Sequence, residues 1–273
     1  MTTSAVTAEG ERLKARLKKI WTAGDYDHFS RYLEGSAREF YERVPVCVGG
    51  KLLDVACGSG QLALMAAKDG MDVTGVDIAG NLIERARARA GAAGLGVRFE
   101  VADAEALPFA DAQFDVVTSL IGAMFAPAPD AVAAELLRVC KRGGVIAMAN
   151  WTPQGFVGQM FKVVSAFIAP SGMPSPVLWG EEAVVRDRLG RGLTELRLTK
   201  RQYAFSYPFP PADVVEFYRR CYGPINQAFA ALEGEERDNL RRQLETLWAA
   251  HNRSEDDCTA VQAEYLEVIG VRG

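Results

Sequence analysis

Histidine is almost missing from this chain: His28 and His251 are the only two in 273 residues. They are far apart in sequence, which argues against a zinc site, so no metal is expected. Cysteine is sparse as well. Cys47, Cys57, Cys140, Cys221 and Cys258 are scattered, odd in number and never spaced C-x-x-C. That pattern excludes a disulfide-stapled scaffold and fits free thiols in a reducing cytoplasm. No secretory leader is recognisable, and no apolar run reaches the ~20 residues of a membrane-spanning helix. Positive charge is not in excess either. With 31 basic and 35 acidic side chains the formal net charge is -4, so no general nucleic-acid surface is expected. Arg85, Arg87 and Arg89, alternating with alanine, read as a solvated helix face.

What remains is an ordinary globular composition, 49% apolar and 24% charged, enough for one large domain or a domain with a substantial insertion. Its most informative stretch is Leu52-Leu53-Asp54-Val55-Ala56-Cys57-Gly58-Ser59-Gly60. This reads as a buried strand carrying a carboxylate near its end and breaking into a glycine turn. A helix follows at once, and Asp77 closes a second strand. Strands expected at 52–56, 73–77, 97–101, 114–120 and 145–149 alternate with helices at 61–69, 81–93 and 129–140. Such alternation predicts an α/β fold with a mostly parallel sheet covered by helices on both faces.

The flanks are less regular. Residues 1–8 are expected to be disordered. Glu11 to Trp21 reads as a helix, and His28 to Val44 as another that stops before Pro45. After Trp151 come a helix at 155–167, a proline-rich loop at 170–176, strand-like alternation at 193–207, helices at 212–222, about 225–232 and 235–250, and a closing strand at 263–271. The expected organisation is an N-terminal helical lid (1–45), a cofactor core (46–150) and a remainder (151–273). In that remainder a helical cap, about 208–260, is inserted between the last two strands.

Two cofactors suit a strand, a glycine turn and a later acid: a dinucleotide and S-adenosylmethionine. Gly58-Ser59-Gly60-Gln61-Leu62-Ala63 satisfies the G-x-G-x-x-G/A form, a weak signal alone. Charge discriminates better. A pyrophosphate seated on the turn and helix N-terminus would be repelled by Asp54. Two like charges at about 4 Å cost roughly 4 kcal/mol at a near-surface dielectric. S-adenosylmethionine carries an ammonium and a sulfonium, for which Asp54 is favourable. Asp77 can accept from both ribose hydroxyls. Asp103 and the Ala104 N–H can meet the adenine edge, with Ile78 and Leu82 flanking the ring.

These residues resemble class I S-adenosylmethionine-dependent methyltransferases. The similarity runs through Leu53–Gly60, Gly75-Val76-Asp77, Ala102–Phe109, Phe114-Asp115-Val116-Val117, Glu135–Val139 and Lys141–Gly144. It is closest in character to the branch of quinone- and small-molecule-modifying enzymes. The resemblance implies a seven-stranded Rossmann-like sheet whose last strand is antiparallel and inserts beside the fifth. It implies that Ala56, Gly58 and Gly60 shape the cofactor site. Trp21-Thr22-Ala23-Gly24-Asp25-Tyr26 looks like a segment that closes over the cofactor, with Trp21 as cover and Tyr26 on the carboxylate. Plain core packing is the alternative for Trp21.

Ser119 and Leu120 end strand four and open the apolar segment Ser119–Phe125, expected to touch the methionine part and the methyl acceptor. The chain lacks the Asn/Asp-Pro-Pro-Tyr signature of amino-methylating enzymes acting on nucleic-acid bases or glutamine. Aromatics crowd the second half, and a subset should line an apolar acceptor pocket. Cys57 reads as a small filler. His28 and His251 are the candidate bases, although transfer from an activated sulfonium does not require one. The function expected is methyl transfer to a small, apolar or aromatic acceptor, without nucleic acid or stable membrane insertion. The alternatives are a nicotinamide-dependent oxidoreductase and a non-catalytic S-adenosylmethionine-binding protein.

Overall fold

The computed structural model describes residues 2–168 and 172–273, with side chains from residue 8 onward. Of residues 1–8, expected to be disordered, 2–8 instead lie in the helix that opens the chain, and Met1 lies outside the described residues. Three helices come first: α1 (Thr2–Thr22), α2 (Tyr26–Arg31) and α3 (Glu34–Tyr41). Periodicity predicts one helix over 28–44, but the chain breaks at Tyr32-Leu33. Asp25 caps α2 by accepting from the His28 N–H. The second piece is tied to a distant strand, where Tyr203 donates to the Leu33 carbonyl and the Ala204 N–H to Ser36. Local pattern carries no record of such tertiary bonds.

The sheet then begins. β1 (Lys51–Val55), β2 (Asp72–Asp77), β3 (Arg98–Val101), β4 (Phe114–Leu120) and β5 (Cys140–Trp151) run parallel. They are joined through α4 (Gln61–Lys68), α5 (Gly80–Ala92) and α6 (Pro129–Val139). Leu52, Leu53, Asp54 and Val55 are all buried, as both faces of this sheet are covered. β5 starts earlier than predicted, through Gly143-Gly144, with a register shift against β4.

Two helices, α7 (Phe156–Ser165) and α8 (Glu182–Leu189), precede β6 (Leu193–Tyr207). No periodic pattern marks α8, because half of it is charged and it buries only Val185 and Leu189. α9 (Pro211–Cys221), α10 (Gly223–Ala230) and α11 (Gly234–His251) separate β6 from β7 (Thr259–Arg272). The strand order is β3-β2-β1-β4-β5-β7-β6. β7 lies between β5 and β6, antiparallel to each. The seven-stranded, mostly parallel arrangement is the one the resemblance implied.

A buried ion network fastens the N-terminal segment to the far sheet edge. Glu267 on β7 is 1% exposed. It accepts from Arg43 Nε at 2.6 Å and Arg201 Nε at 2.8 Å, and Arg43 also donates to the Tyr265 hydroxyl. Among the described residues no helix is long and apolar enough to cross a membrane.

Candidate active site

Asp54 and Asp77 sit at the carboxyl ends of β1 and β2, and Asp103 follows β3. β1 lies between β2 and β4, so the order of the sheet reverses there. Open α/β sheets have a crevice at such a reversal. Here the crevice has about 890 Å³ of space, its mouth included, and Trp21, Tyr26, Asp54, Asp77, Asp103 and Leu120 are among its walls.

The glycine turn holds the acids in place. Gly60 caps α4 at φ +83°, and a Cβ there would lie 2.8 Å from Phe99 Cζ. The Gly58 N–H donates to Asp77 Oδ2 at 2.9 Å and the Ala79 N–H to Oδ1 at 2.8 Å. Thr118 Oγ1 donates to Asp54 Oδ1 and the Ala63 N–H to Oδ2, both at 3.2 Å. Asp54 is 2% exposed and Asp77 8%. Burial pushes the Asp54 carboxyl up to about 7, opposed by its Thr118 and Ala63 bonds and reinforced by the Asp77 charge. Asp77 is also raised, again by burial first.

Neither carboxylate meets a lysine, arginine or histidine among the described residues. Buried negative charge without a counter-charge is costly. A cationic ligand relieves that cost and a pyrophosphate adds to it. The donor set therefore fits a ligand bearing ammonium and sulfonium groups.

The opposite wall is strained. Ala56 and Ile121 have φ of +56° and +52°, and a β-branched residue there is an outlier. Ser119 braces this turn by donating to the Val55 carbonyl at 2.8 Å and accepting from the Ala123 N–H at 3.0 Å. A Cβ on Gly122 would lie 2.6 Å from the Ala56 carbonyl oxygen.

Above the crevice lies α1. Lys14 Nζ pairs with Asp103 Oδ2 at 2.7 Å and Glu105 Oε2 at 2.9 Å. Trp21 packs edge-on against Tyr26 and Phe125, with centroids 5.4 and 4.9 Å away. A second cavity, about 490 Å³ with its mouth included, adjoins the crevice, sharing Trp21, Tyr26, Gln61, Leu120, Ile121 and Phe125 with it. From residues 151–273, Trp151, Met160, Tyr203, Phe205, Tyr218 and Tyr222 line it, with Val157. Other aromatics of the second half pack elsewhere, Phe156 for instance against Trp248.

A family profile described as a methyltransferase domain matches residues 53–148. An uncharacterised protein of Mycobacterium tuberculosis is 37% identical over 234 residues, covering 84% of this chain and 85% of its own. A demethylmenaquinone methyltransferase of Thermus thermophilus is 38% identical over 124 residues, 44% of this chain and 56% of that protein. The chain belongs to the class I S-adenosylmethionine-dependent methyltransferases. S-adenosylmethionine is its cofactor. The solved YcgJ protein from Bacillus subtilis shares the fold, with a TM-score of 0.60 at 19% identity over 87% of this chain and 98% of that one.

In this methyltransferase most of the expected cofactor-site residues converge. Trp21, Tyr26, Asp54, Ala56, Gly58, Asp77, Ile78, Leu82, Asp103, Ala104 and Leu120 all line the crevice. Gly60 and Ser119 do not; they hold the turns that shape it. Asp103 faces the site already paired with Lys14. His28 lines neither cavity and packs on Tyr32 and Phe217. His251 lines neither and lies by the Leu247 carbonyl and Phe156. The arginine face is not merely solvated: Arg87 binds the Phe99 carbonyl, and Arg89 binds Ser59 of the glycine turn and Glu34. Sequence reasoning missed Leu17, Ser30 and Gln61 on the crevice wall. Gln61 was findable, as the first residue after the turn; Leu17 shares a helix face with Trp21. Ser30 carries no such signal.

Proposed function

We propose that this methyltransferase acts on a small, apolar or aromatic molecule held in the second cavity. One observation carries this reading. Two buried carboxylates without a protein counter-ion border a crevice whose neighbouring cavity is lined by no acidic, basic or histidine side chain among the described residues. When bound, S-adenosylmethionine supplies a methyl group already activated on a sulfonium.

The chain's own residues bind and orient. Asp54 receives the ammonium, and Asp77, its oxygens pre-aimed by backbone donors, accepts from the ribose hydroxyls. Ile78 and Leu82 flank the adenine, with Asp103 and Ala104 at its edge. Ala56, Gly58 and Gly60 let backbone approach closely, and Leu120 and Ser119 support the reacting end. Trp21 and Tyr26 cover the site, and residues 1–45 act with the helical cap as a lid that excludes water. The acceptor is a small molecule rather than nucleic acid or membrane, and free thiols suit the cytoplasm.

Titration calorimetry with S-adenosylhomocysteine tests the cofactor half. Tight binding is expected, with more than about tenfold loss in Asp77→Ala, since a charged hydrogen bond is worth about 1.5–3 kcal/mol. Binding of NADH in place of S-adenosylhomocysteine would favour the oxidoreductase instead. Cofactor binding without turnover over a broad acceptor panel would favour a non-catalytic binder.

A further inference from the structure

The second cavity has a polar pattern of its own. Tyr203 spends its hydroxyl proton on the Leu33 carbonyl, and Tyr218 shares a bond with Tyr207. Tyr26 and Tyr222 have no such engagement: both line the cavity, and their hydroxyls make no hydrogen bond among the described residues. Gln61 donates its amide to the Ser30 carbonyl, which leaves its own carbonyl oxygen unpaired. The wall thus offers two hydroxyl donors and one amide acceptor, set among rings. Burial holds both tyrosines protonated through neutral pH, aided at Tyr26 by the Asp77 charge and at Tyr222 by Tyr26 and Tyr207.

Each acceptor class fares differently there. An aliphatic alcohol needs a base to take its proton, and no carboxylate or imidazole among the described residues lines the cavity. A carboxylate or phosphate arrives fully charged and must shed its water before it meets any counter-charge. A phenol or enol enters neutral, ionises on its own and finds two hydroxyl donors for its oxygen.

We propose, resting on the methyl-transfer reading above, that the acceptor is a phenol or enol on an apolar skeleton, methylated on oxygen without an enzyme base. Tyr222 and Tyr26 donate to the oxygen, Tyr26 serving the acceptor rather than the cofactor carboxylate, and Gln61 accepts from a neighbouring donor on the same molecule. The proton leaves to water first. The oxygen–methyl bond then forms as the methyl–sulfur bond breaks, and that electron pair stays on sulfur. Opposite charges cancel as the bond forms, which a cavity of low polarity favours over water.

The probes are 4-methylumbelliferone and its more acidic 6,8-difluoro analogue, whose spectra distinguish phenol from phenolate. Calorimetry with S-adenosylhomocysteine comes first, and failure there overturns the methyltransferase reading rather than this one. With that binding intact, the loaded protein should bind both coumarins and shift the ionisation of each to lower pH when sinefungin, which places an ammonium near the reacting centre, replaces S-adenosylhomocysteine. With S-adenosylmethionine saturating at every pH, turnover should rise with pH at a midpoint that moves with each phenol's own acidity. Tyr222→Phe should cut kcat/KM about tenfold and raise the pH at which the bound phenol ionises, with S-adenosylhomocysteine affinity unchanged. The proposal is overturned by a midpoint common to both coumarins, by turnover of benzoate or benzylamine in preference to them, or by no coumarin binding to the loaded protein.

Discussion

Asp54 gives the cofactor site a pH dependence whose sign can be worked out. Its carboxyl titrates near 7 in the folded protein against an ordinary 3.8. Between those values the folded chain without cofactor holds a proton that the unfolded chain has released. The stability contributed by this group is therefore full below about pH 4 and lost as pH rises through about 7. With the ammonium placed on Asp54 as proposed, cofactor affinity runs the other way, because the ammonium needs the ionised form, so binding weakens as pH falls through about 7. Thermal unfolding of wild type and Asp54→Asn, with and without S-adenosylhomocysteine, reads both effects. Parallel curves for the two proteins would sink the assignment. Gly122 makes a second residue-scale prediction. Gly122→Ala forces a Cβ against the Ala56 carbonyl and should cost about 1–3 kcal/mol. It should also weaken S-adenosylhomocysteine binding by displacing Ala56. A variant with native melting temperature and affinity would contradict the close approach described.

At the scale of elements, α1 is held over the crevice by a short clasp. Lys14 reaches both Asp103 and Glu105, and the Glu105 side chain is only 5% exposed. On the proposed placement of the adenine, its amine and the Lys14 ammonium share the Asp103 carboxylate, which ties α1 to the bound cofactor. Lys14→Met should speed S-adenosylhomocysteine dissociation several-fold and flatten its salt dependence, since screening acts on the lost ion pair. Stopped-flow displacement at low and high salt measures both, and an unchanged rate would mean that α1 does not gate the crevice. The elements themselves were unequally legible. β6 and β4 coincide with the strands read from sequence, because long alternation and continuous apolar runs are local signals. α8 and the break between α2 and α3 were not legible. One is held by two apolar residues and the other by bonds to β6, neither of which leaves a periodic trace. The same limit applies in the crevice. The acids and glycines announced themselves by spacing, whereas Ser30 enters only through the packing of α2.

For the whole molecule, Glu267 joins three parts of the chain that are remote in sequence. Arg43 comes from the N-terminal segment, Arg201 from β6 and Glu267 from β7. Removing one partner of a buried pair costs about 3–5 kcal/mol when the other charge stays buried. Both arginines are about one-third exposed and can turn to water, so Glu267→Ala should lie below that range, at roughly 1–3 kcal/mol. Urea unfolding measures this, and a midpoint equal to wild type would show that the network adds nothing. The sequence by itself determined the parallel core, the glycine turn and the acids at the strand ends, because each arises from neighbours within a few residues. Only the tertiary structure decided that Asp54 and Asp77 lack counter-ions among the described residues, that α1 clasps Asp103 and that an uncharged cavity adjoins the crevice. Those properties depend on which remote side chains fold back over the sheet. No local pattern records them.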